Sequence, residues 1–521
     1  MSQRVFPIGE QVFENIINRQ MVYVDKTALI YRMVTTNSKY FLSRPRRFGK
    51  SLLCSTLDAY FRGKKELFKE LAIDKLEEKW TKYPVFHFDF SATKYLTADD
   101  LKYLLNTQLK DFEKIYGENP DDEKSSADRL NGLIQRAYEQ TGEKVVIIID
   151  EYDAPLHDAI SNVDLNQQLR QIQRQFFSPL KRQDQNIRFI FITGITKFSQ
   201  MSIFSELNNL QDISLDTQYE DICGISEKEL TTMLSDDIAK MAQEEGIAYE
   251  ECLSKLKYFY DGYHFSKNKV NIYNPYSLIN ALGKKRFGTF WFSTGTPTFL
   301  MELVTDHGLI ITDLEGKTAK EGDFDTPADN LSNPLPILYQ SGYLTIKDFD
   351  HQSRRFTLGF PNEEVHEGFA NSLVNYYVKA GKNPKGNTIL ISAMDEFTQT
   401  HKTCSLLDSY RSFIKSTSYD LLRQNESLYQ AIFYTWLVSN GLDVHAEKSL
   451  SDGRMDILLK TDRGIWIFEF KYNESVEEAI DQIYFKRYMD AFIGDQRPVH
   501  LVGVNIVTIE KKDVEWTETI V

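Results

Sequence analysis

The chain has 521 residues, which is too long for one compact core and predicts two to four domains. Its net charge of −14 argues against a protein that binds nucleic acid over its whole surface, although it allows a local basic channel. Four scattered cysteines argue against a disulfide framework or a structural zinc, and no stretch resembles a signal peptide or a membrane helix, so we expect a cytoplasmic protein.

The N-terminal part alternates between strand and helix patterns. Apolar runs at 39–43, 84–91, 144–155 and 187–199 read as strands, and helical stretches such as Ala98 to Tyr116 lie between them. This alternation predicts a mostly parallel sheet, and the unbroken apolar run of the third strand suits a strand that is covered on both faces.

The stretch RPRRFGKS follows the first strand and opens a helix, as a phosphate-binding loop does. Such a loop needs backbone N–H groups that point at phosphate, a lysine for the terminal phosphates and a hydroxyl for Mg²⁺. Arg44 stands where the motif has its first glycine, but Pro45 fixes a turn there. We predict that the nucleotide is bound by Arg46, Arg47, Phe48, Gly49, Lys50, Ser51 and Leu52.

A second part of this predicted site follows the apolar run IIID. Asp150 is predicted to hold Mg²⁺ through water together with Ser51, and Glu151 to orient or deprotonate the attacking water; the alternative is a solvated strand end. Thr193 is predicted to sense the γ-phosphate, and an ordinary turn residue beside Gly194 is an equal alternative. The sequence therefore predicts an ATP and magnesium site at one edge of the sheet.

The domain organisation is predicted from changes in pattern along the chain. A nucleotide-binding core is expected over 1–215, a helical lid over 216–300 and a winged-helix-like segment over 301–375, in which a helix precedes two short strands. The polar stretch from Glu315 to Pro336 is expected to be a loop. A linker over 376–404 precedes the last domain.

Residues 405–521 predict a second α/β unit of the size of a small domain. ESLYQAIFYTWLVSNG predicts an amphipathic helix that ends at Gly441. Two strands, a helix from Ser475 to Phe492 and a final strand, HLVGVNIV, follow it.

Acidic residues and a lysine lie on the two strands of this unit. Asp456 is on the first strand and Glu469 and Lys471 are on the second, with a turn between Thr461 and Gly464. Because side chains alternate along a strand, Glu469 and Lys471 share one face and Asp456 can face them. Two buried carboxylates repel each other unless a cation joins them, and oxygen ligands select Mg²⁺ or Mn²⁺. The alternative is an exposed hairpin face with an ordinary ion pair.

Other polar residues are secondary candidates. Glu426 and Glu447 are further potential metal ligands, although a helix-surface or loop charge is the preferred interpretation of each. Gln482 and Lys486 would contact nucleic acid or assist the site, and a solvated helix face explains them equally well. His87 is interpreted as a structural residue.

Two family resemblances complete this picture. YVDKTALI, FLSRPRRFGKS, VVIIIDEYDAP and FITGITKFS resemble the AAA-ATPase-like family related to STAND-type archaeal ATPases, over roughly residues 5–300. This implies an AAA+-type core with a helical lid and a winged-helix-like segment. GRMD and EFK resemble the PD-(D/E)XK nuclease superfamily, over about 405–512. This implies a restriction-endonuclease-like domain in which Asp456 and Glu469 bind metal and Lys471 acts on water.

The combined prediction is an ATP-binding and ATP-hydrolysing protein coupled to a metal-dependent nuclease that acts on nucleic acid, with DNA as the expected substrate. The alternative is a STAND-like, ATP-driven switch whose C-terminal domain binds nucleic acid or protein without cleaving it. A third alternative is an interaction protein in which both sites are vestigial. No membrane partner is expected, and a homo-oligomer and a monomer both stay open.

Overall fold

The computed structural model describes residues 4–121, 123–197, 207, 209–291, 298–307, 309, 311–325, 333–380, 386–416, 426–450, 453–508 and 513–521. The chain forms two compact units. The first comprises Met1–Ser293 and Gly316–Glu363, and the second comprises Thr294–Glu315 and Glu364–Val521. The finer domain boundaries expected from the sequence stay predictions. None of the described helices is long and apolar enough to cross a membrane.

A parallel sheet forms the centre of the first unit, as predicted, and it has five strands where the sequence predicted four. Its strands are β1 (Lys39–Ser43), β2 (Val85–Asp89), β3 (Val145–Asp150), β4 (Ile187–Gly194) and β5 (Gln211–Asp212). They lie in the order β2-β3-β4-β1-β5. All six residues of β3 are buried, which agrees with its continuous apolar sequence. The third and fourth strands are shorter than predicted, since β3 ends at Asp150 and β4 at Gly194.

Helices accompany this sheet: α1 (Phe13–Asn18), α2 (Thr27–Thr36), α3 (Lys50–Phe61), α4 (Ala98–Tyr116), α5 (Ser126–Thr141), α6 (Ala154–Asp158), α7 (Val163–Phe177) and α8 (Pro179–Arg182). Local sequence explains several of their ends. Thr97 with Asp100, and Ser125 with Asp128, form reciprocal caps at the starts of α4 and α5. Gly142 ends α5 in the left-handed conformation.

A mainly helical region follows, with β6 (Ile225–Ser226), α9 (Glu227–Met233), α10 (Ser235–Glu245), α11 (Tyr249–Tyr260), β7 (Ile272–Tyr273) and α12 (Pro275–Lys284). Its helices share one apolar core, which includes Leu230, Ile238, Leu256 and Leu278. The side chain of Asn274 caps α12 and Pro275 occupies the first helical position, where its missing N–H has no cost.

The segment expected to be a loop contains regular structure. Beyond α13 (Thr298–Asp306), which belongs to the second unit, lie β8 (Thr318–Lys320), α14 (Leu335–Gln340), β9 (Thr345–Asp350) and β10 (Arg355–Gly359). The strands form an antiparallel sheet in the order β8-β10-β9. The loop prediction for Glu315 to Pro336 was therefore wrong at β8, because that short polar strand is stabilised by its pairing with β10. Residues 326–332 lie outside the described residues.

The second unit contains α15 (Glu363–Ala380), α16 (Gly386–Thr400), α17 (Thr403–Ser416), α18 (Glu426–Val438), β11 (Asp443–Leu450), β12 (Gly453–Lys460), β13 (Ile465–Tyr472), α19 (Val476–Phe485), β14 (Val499–Val507) and β15 (Asp513–Ile520). The strands form one sheet in numerical order. Only the β13–β14 pair is parallel, and α19 is the crossover between these two strands.

Three details of this unit differ from the prediction. Strands β11 and β15 were not predicted, because both are edge strands in which polar and apolar residues alternate weakly. Helix α18 is not amphipathic, since every residue from Ala431 to Val438 is buried. The helix expected from Ser475 to Phe492 stops at Phe485, because Arg487 has a positive φ of 52°.

Candidate functional site

The predicted phosphate loop connects β1 to α3 with a tight, left-handed bend. Arg47 has a φ of 65° and Gly49 a φ of 90°, and α3 begins at Lys50. The buried Lys50 ammonium donates hydrogen bonds to the carbonyl oxygens of Arg44, at 3.1 Å, and Pro45, at 3.0 Å. The two loop carbonyls thus hold the lysine over the loop. If a nucleotide binds, its terminal phosphate oxygens would replace these carbonyls as hydrogen-bond acceptors.

Arg44, which stands in place of the usual glycine, has its side chain buried inside the protein. Its guanidinium donates to the carbonyl oxygens of Ser43, Ser214 and Tyr219 at 2.9, 2.8 and 3.2 Å. The guanidinium carbon also lies 4.1 Å from the ring centre of Phe265. The arginine therefore has a structural role, because its guanidinium donates hydrogen bonds to three backbone carbonyls inside the unit.

The other predicted loop residues have different environments. Arg46 and Arg47 are exposed; the Arg46 carbonyl accepts a hydrogen bond from Trp291 Nε1, and the Arg47 guanidinium lies 4.1 Å from the Tyr276 ring centre. Phe48 is fully buried against two aromatic rings, so it can offer a ligand only its backbone N–H. The loop would accordingly bind phosphate through its backbone N–H groups.

Asp150 lies at the end of β3, beside Ser51 at the start of α3. Burial raises the pKa of Asp150, a hydrogen bond with Ser51 opposes that shift, and the charge of Glu151 reinforces it. Asp150 Oδ1 is buried without a hydrogen-bond partner among the described residues. A buried carboxylate oxygen with no donor is neutralised by a proton or by a cation, and hydroxyl and carboxylate oxygens are ligands that suit Mg²⁺. The residues present therefore fit a magnesium ion.

Glu151 follows in a strained conformation, with a φ of 49°. The next two residues hold it there: the Tyr152 N–H donates to the Thr193 carbonyl at 3.1 Å, and Asp153 Oδ2 accepts from the N–H groups of Ile195 and Thr196. These contacts were not predicted from the sequence. A signal was present, because the motifs DEYD and TGIT each follow an apolar strand and so lie at the same edge of the parallel sheet.

The Thr193 side chain is fully buried, and its hydroxyl donates to the Leu42 carbonyl at 2.8 Å. That hydroxyl is therefore engaged within the sheet, between β4 and β1. A role for Thr193 as a sensor of the γ-phosphate stays a prediction.

An apolar pocket of about 80 Å³ opens beside Gly49 and Leu52. Its walls come from the segment before α2, from α3, from the β6 region and from α12, with side chains that include Val24, Ile225 and Ile279. A single water needs about 10–15 Å³, so the pocket has room for a planar group of several atoms. Its position next to the loop suits the base of a nucleotide. This pocket was not predicted, because the segments that form its walls are far apart in the chain.

The second predicted site lies on β12 and β13. Asp456 Oδ2 accepts a hydrogen bond from the Phe470 N–H at 2.8 Å, and Lys471 Nζ lies 4.0 Å from Glu469 Oε1. Glu469 is only 1% exposed, and burial, followed by the Asp456 charge, raises its pKa, while Lys471 acts in the opposite direction. The structure thus brings the three predicted side chains together.

Two of the secondary candidates also lie in this group. Gln482 on α19 donates to Glu469 Oε1 and accepts from Lys471 Nζ at 2.8 Å, so it is not part of a solvated helix face. The half-buried Glu426, at the start of α18, has a pKa raised by burial and lowered by Lys471, and its charge also raises the pKa of Glu469. Both residues therefore lie beside the predicted metal ligands.

Two candidates remain, Lys486 and Glu447. The Lys486 ammonium lies 5.8 Å from the ring centre of its neighbour Phe485. Glu447 is on β11, but its side chain lies outside the described residues.

The donor set of this group fits a divalent ion. Glu469 Oε2 is buried and has no hydrogen-bond partner among the described residues, and carboxylates supply the other oxygens nearby. Hard oxygen donors select Mg²⁺ or Mn²⁺ over softer metals. Asp456 and Glu469 would hold such an ion, with Glu426 close by.

The fold and the two sites define a P-loop protein with a nuclease-like C-terminal unit, and comparisons with known proteins agree. A family model described as "Predicted AAA-ATPase" matches residues 7–204, and one described as "PD-(D/E)XK nuclease superfamily" matches 424–516. An "Uncharacterized protein in vnfD 5'region" from Azotobacter chroococcum mcd 1 is 31% identical, over 97% of this chain and 96% of that protein. The chain belongs to the AAA-ATPase-like family that carries a C-terminal PD-(D/E)XK domain, which confirms the resemblance.

Proposed function

We propose that the first unit binds and hydrolyses ATP and that the second unit cleaves phosphodiester bonds in nucleic acid, with DNA as the expected substrate. The observation that carries the proposal is the grouping of the partly exposed Asp456 and Lys471 around the buried Glu469, whose Oε2 has no protein donor among the described residues. A carboxylate group of this kind is costly for a purely structural hairpin.

In the first unit, Lys50 exchanges its bonds to the loop carbonyls for bonds to terminal phosphate oxygens. Ser51 and Asp150 hold Mg²⁺, which when bound neutralises charge on the phosphates. Glu151 orients the attacking water and accepts its proton, and the hydrogen bonds of Tyr152 and Asp153 hold its backbone in the strained conformation. The base occupies the apolar pocket beside Leu52.

In the second unit, Asp456 and Glu469 hold Mg²⁺ or Mn²⁺, which when bound acidifies water and polarises a phosphodiester. Lys471 donates hydrogen bonds that position the water, and the proton of that water passes to solvent. Gln482 bonds to both Glu469 and Lys471 and so keeps their separation constant. Positioning of this kind matters because a misplacement of about 1 Å costs on the order of 100-fold in rate.

One observation favours the switch as a second candidate function. The phosphate loop is tied to distant parts of its own unit through Arg44 to Ser214 and Tyr219, and through the Arg46 carbonyl to Trp291. A change in the loop on nucleotide binding would reach all of these segments. Such a connection is compatible with a regulatory switch, and equally with an ATPase that controls a nuclease.

The test uses the purified full chain with single-stranded and double-stranded DNA and with RNA, in Mg²⁺ or Mn²⁺. Loss of cleavage with retained DNA binding in Asp456→Asn and Glu469→Gln would support the nuclease. Retained binding without any cleavage by the parent protein would favour the switch.

ATP binding is measured separately by calorimetry. Lys50→Ala is expected to abolish binding, whereas replacement of the exposed Lys65 by alanine serves as the control. If Lys50→Ala cleaves nucleic acid at the parental rate with and without ATP, the two activities are not coupled. Absence of ATP binding by the parent would point to a vestigial nucleotide site.

A further inference from the structure

A second group of potential metal ligands lies below the phosphate loop. Cys54 on α3, His87 on β2 and Asp150 on β3 each offer one ligand atom, and these three atoms lie within 4.8 Å of one another. Cys54 is fully buried, Asp150 is 4% exposed and His87 is half-buried. The group mixes a thiol, an imidazole and a carboxylate, which distinguishes it from an ordinary acidic cluster.

The fold brings these residues together from three elements. Cys54 lies one helical turn after Lys50 on α3. In the parallel pair β2–β3, His87 is opposite Ile148 and Asp89 is opposite Asp150. Because side chains alternate along a strand, His87 and Asp89 point to the same side of the sheet. The polar residues at alternate positions of VFHFD therefore indicated a polar face on this strand, on the side where Asp150 also lies. From the sequence, His87 was interpreted as a structural residue instead.

Two further observations point to a cation at this group. Asp150 Oδ1 is buried and has no hydrogen-bond partner among the described residues. His87 Nδ1 lies 3.5 Å from Asp58 Oδ2, and the Asp58 carboxylate is itself held by Arg62 at 2.5 Å. A carboxylate behind a histidine is the usual partner of a metal-binding imidazole, because it fixes the ring and leaves the other nitrogen for the ion.

We propose that Cys54, His87 and Asp150 form a binding site for a transition metal ion of the zinc class. Thiolate and imidazole ligands favour Zn²⁺ or Co²⁺ over Mg²⁺. Three protein ligands leave one tetrahedral position, and the site borders a polar cavity of about 310 Å³, lined in part by Ser51 and His87, that supplies water and access. When the ion binds, the Cys54 thiol gives up its proton to solvent.

The site has a consequence for the nucleotide, and this part rests on the proposed function. Asp150 is also the residue assigned to Mg²⁺ with ATP, and a zinc ion held there would neutralise the carboxylate charge that attracts Mg²⁺. Zinc binding therefore competes with magnesium-dependent nucleotide binding. The neighbouring cysteine and histidine would make the nucleotide site sensitive to free zinc, whereas Mg²⁺ does not use these two ligands.

The direct test is titration of the chelator-treated full chain with Co²⁺, followed by absorption spectroscopy. We expect a thiolate-to-cobalt charge-transfer band in the near ultraviolet and visible bands of tetrahedral intensity. Cys54→Ser should abolish the charge-transfer band, and His87→Ala should weaken Co²⁺ binding by more than roughly tenfold.

Matched controls lie in the same unit. Cys252→Ser removes another buried cysteine and His351→Ala an exposed histidine, and both should leave the cobalt spectrum unchanged. Circular dichroism checks that each variant is folded, and His87→Ala keeps the test decisive if Cys54→Ser does not fold. An unaltered charge-transfer band in Cys54→Ser, or an octahedral spectrum in the parent protein, would overturn the proposal.

The competition is tested with a fluorescent ATP analogue in Mg²⁺. Added Zn²⁺ should displace the analogue from the parent protein and from Cys252→Ser, but displace it from His87→Ala only at more than roughly tenfold higher concentration. Equal displacement from all three proteins would overturn the competition. If the analogue does not bind without zinc, the proposed ATP site fails, while the cobalt spectra still decide the metal site.

Discussion

Glu469 and Lys471 point to the same side of β13, and 4.0 Å separates Glu469 Oε1 from Lys471 Nζ. The lysine instead donates to Gln482, at 2.8 Å. At that distance the lysine compensates the buried carboxylate only in part, and the pKa of Glu469 stays raised. The arrangement is one that a bound cation completes.

The first prediction concerns stability and pH. The pKa of Glu469 is raised in the folded protein, so the folded state binds this proton more tightly than the unfolded state does. Its contribution to the free energy of unfolding is fully favourable below the ordinary glutamate pKa of about 4.3 and decreases as the pH rises above that value. Glu469→Gln cannot ionise, so it does not lose stability in this way. The free energy of unfolding of the metal-free variant, compared with that of the parent at the same pH, should therefore increase as the pH rises.

Urea unfolding in the presence of a chelator, at several pH values, measures this difference. Glu477→Gln, on the exposed face of α19, is the control and should show no such trend. A variant that is less stable than the parent by the same amount at every pH would contradict the prediction.

The second prediction concerns Gln482, which bonds to both Glu469 and Lys471. Gln482→Ala should raise the Mg²⁺ concentration needed for half-maximal cleavage, or lower the cleavage rate, by roughly 10- to 100-fold. Lys486→Ala, one turn further along, should leave the metal dependence unchanged. The measurement is cleavage of labelled DNA over a range of Mg²⁺ concentrations, and parental behaviour of Gln482→Ala would exclude its role.

The third prediction concerns the residue that replaces the loop glycine. Arg44→Gly would leave the carbonyls of Ser43, Ser214 and Tyr219 without their donor and a space beside Phe265. We expect the free energy of unfolding to fall by about 2–4 kcal/mol.

Chemical denaturation measures the effect. Arg46→Gly places a glycine in the same loop at an exposed position, so it controls for the added backbone freedom. If the two variants lose equal stability, the buried guanidinium is not what stabilises this region.

The fourth prediction concerns the turn that carries Glu151. Asp153 Oδ2 accepts hydrogen bonds from the N–H groups of Ile195 and Thr196 and pairs with His157 at 3.0 Å. Asp153→Asn weakens this support, so kcat for ATP hydrolysis should fall by on the order of 10- to 100-fold while ATP affinity changes little.

Steady-state ATPase assays and calorimetric ATP binding separate these two quantities. Asp158→Asn, at the end of the helix that Asp153 precedes, is the control for a lost carboxylate, since Asp158 accepts hydrogen bonds from Lys94 and the Tyr95 N–H and contacts neither Ile195 nor Thr196. A parallel loss of affinity and kcat in Asp153→Asn would indicate a general structural effect instead of a positioning one.

Much of the fold followed from local patterns. The apolar run ending at Asp150, the helix after Gly49 and the mostly apolar strand IWIFEFKY each depend on neighbours within a few residues, so these elements were predicted from the sequence. Errors occurred where tertiary contacts decide the structure. Strand β8 exists through its pairing with β10, and α18 is buried on most sides by its surroundings.

The sequence by itself determined the chemistry that is available: a glycine-lysine-serine turn, acidic strand ends and an EFK strand, since these are properties of short segments. Only the tertiary structure decided which groups meet, such as Gln482 with Glu469 and His87 with Cys54. The physical reason is that such meetings depend on strand order and helix placement, which arise from packing between segments far apart in the chain.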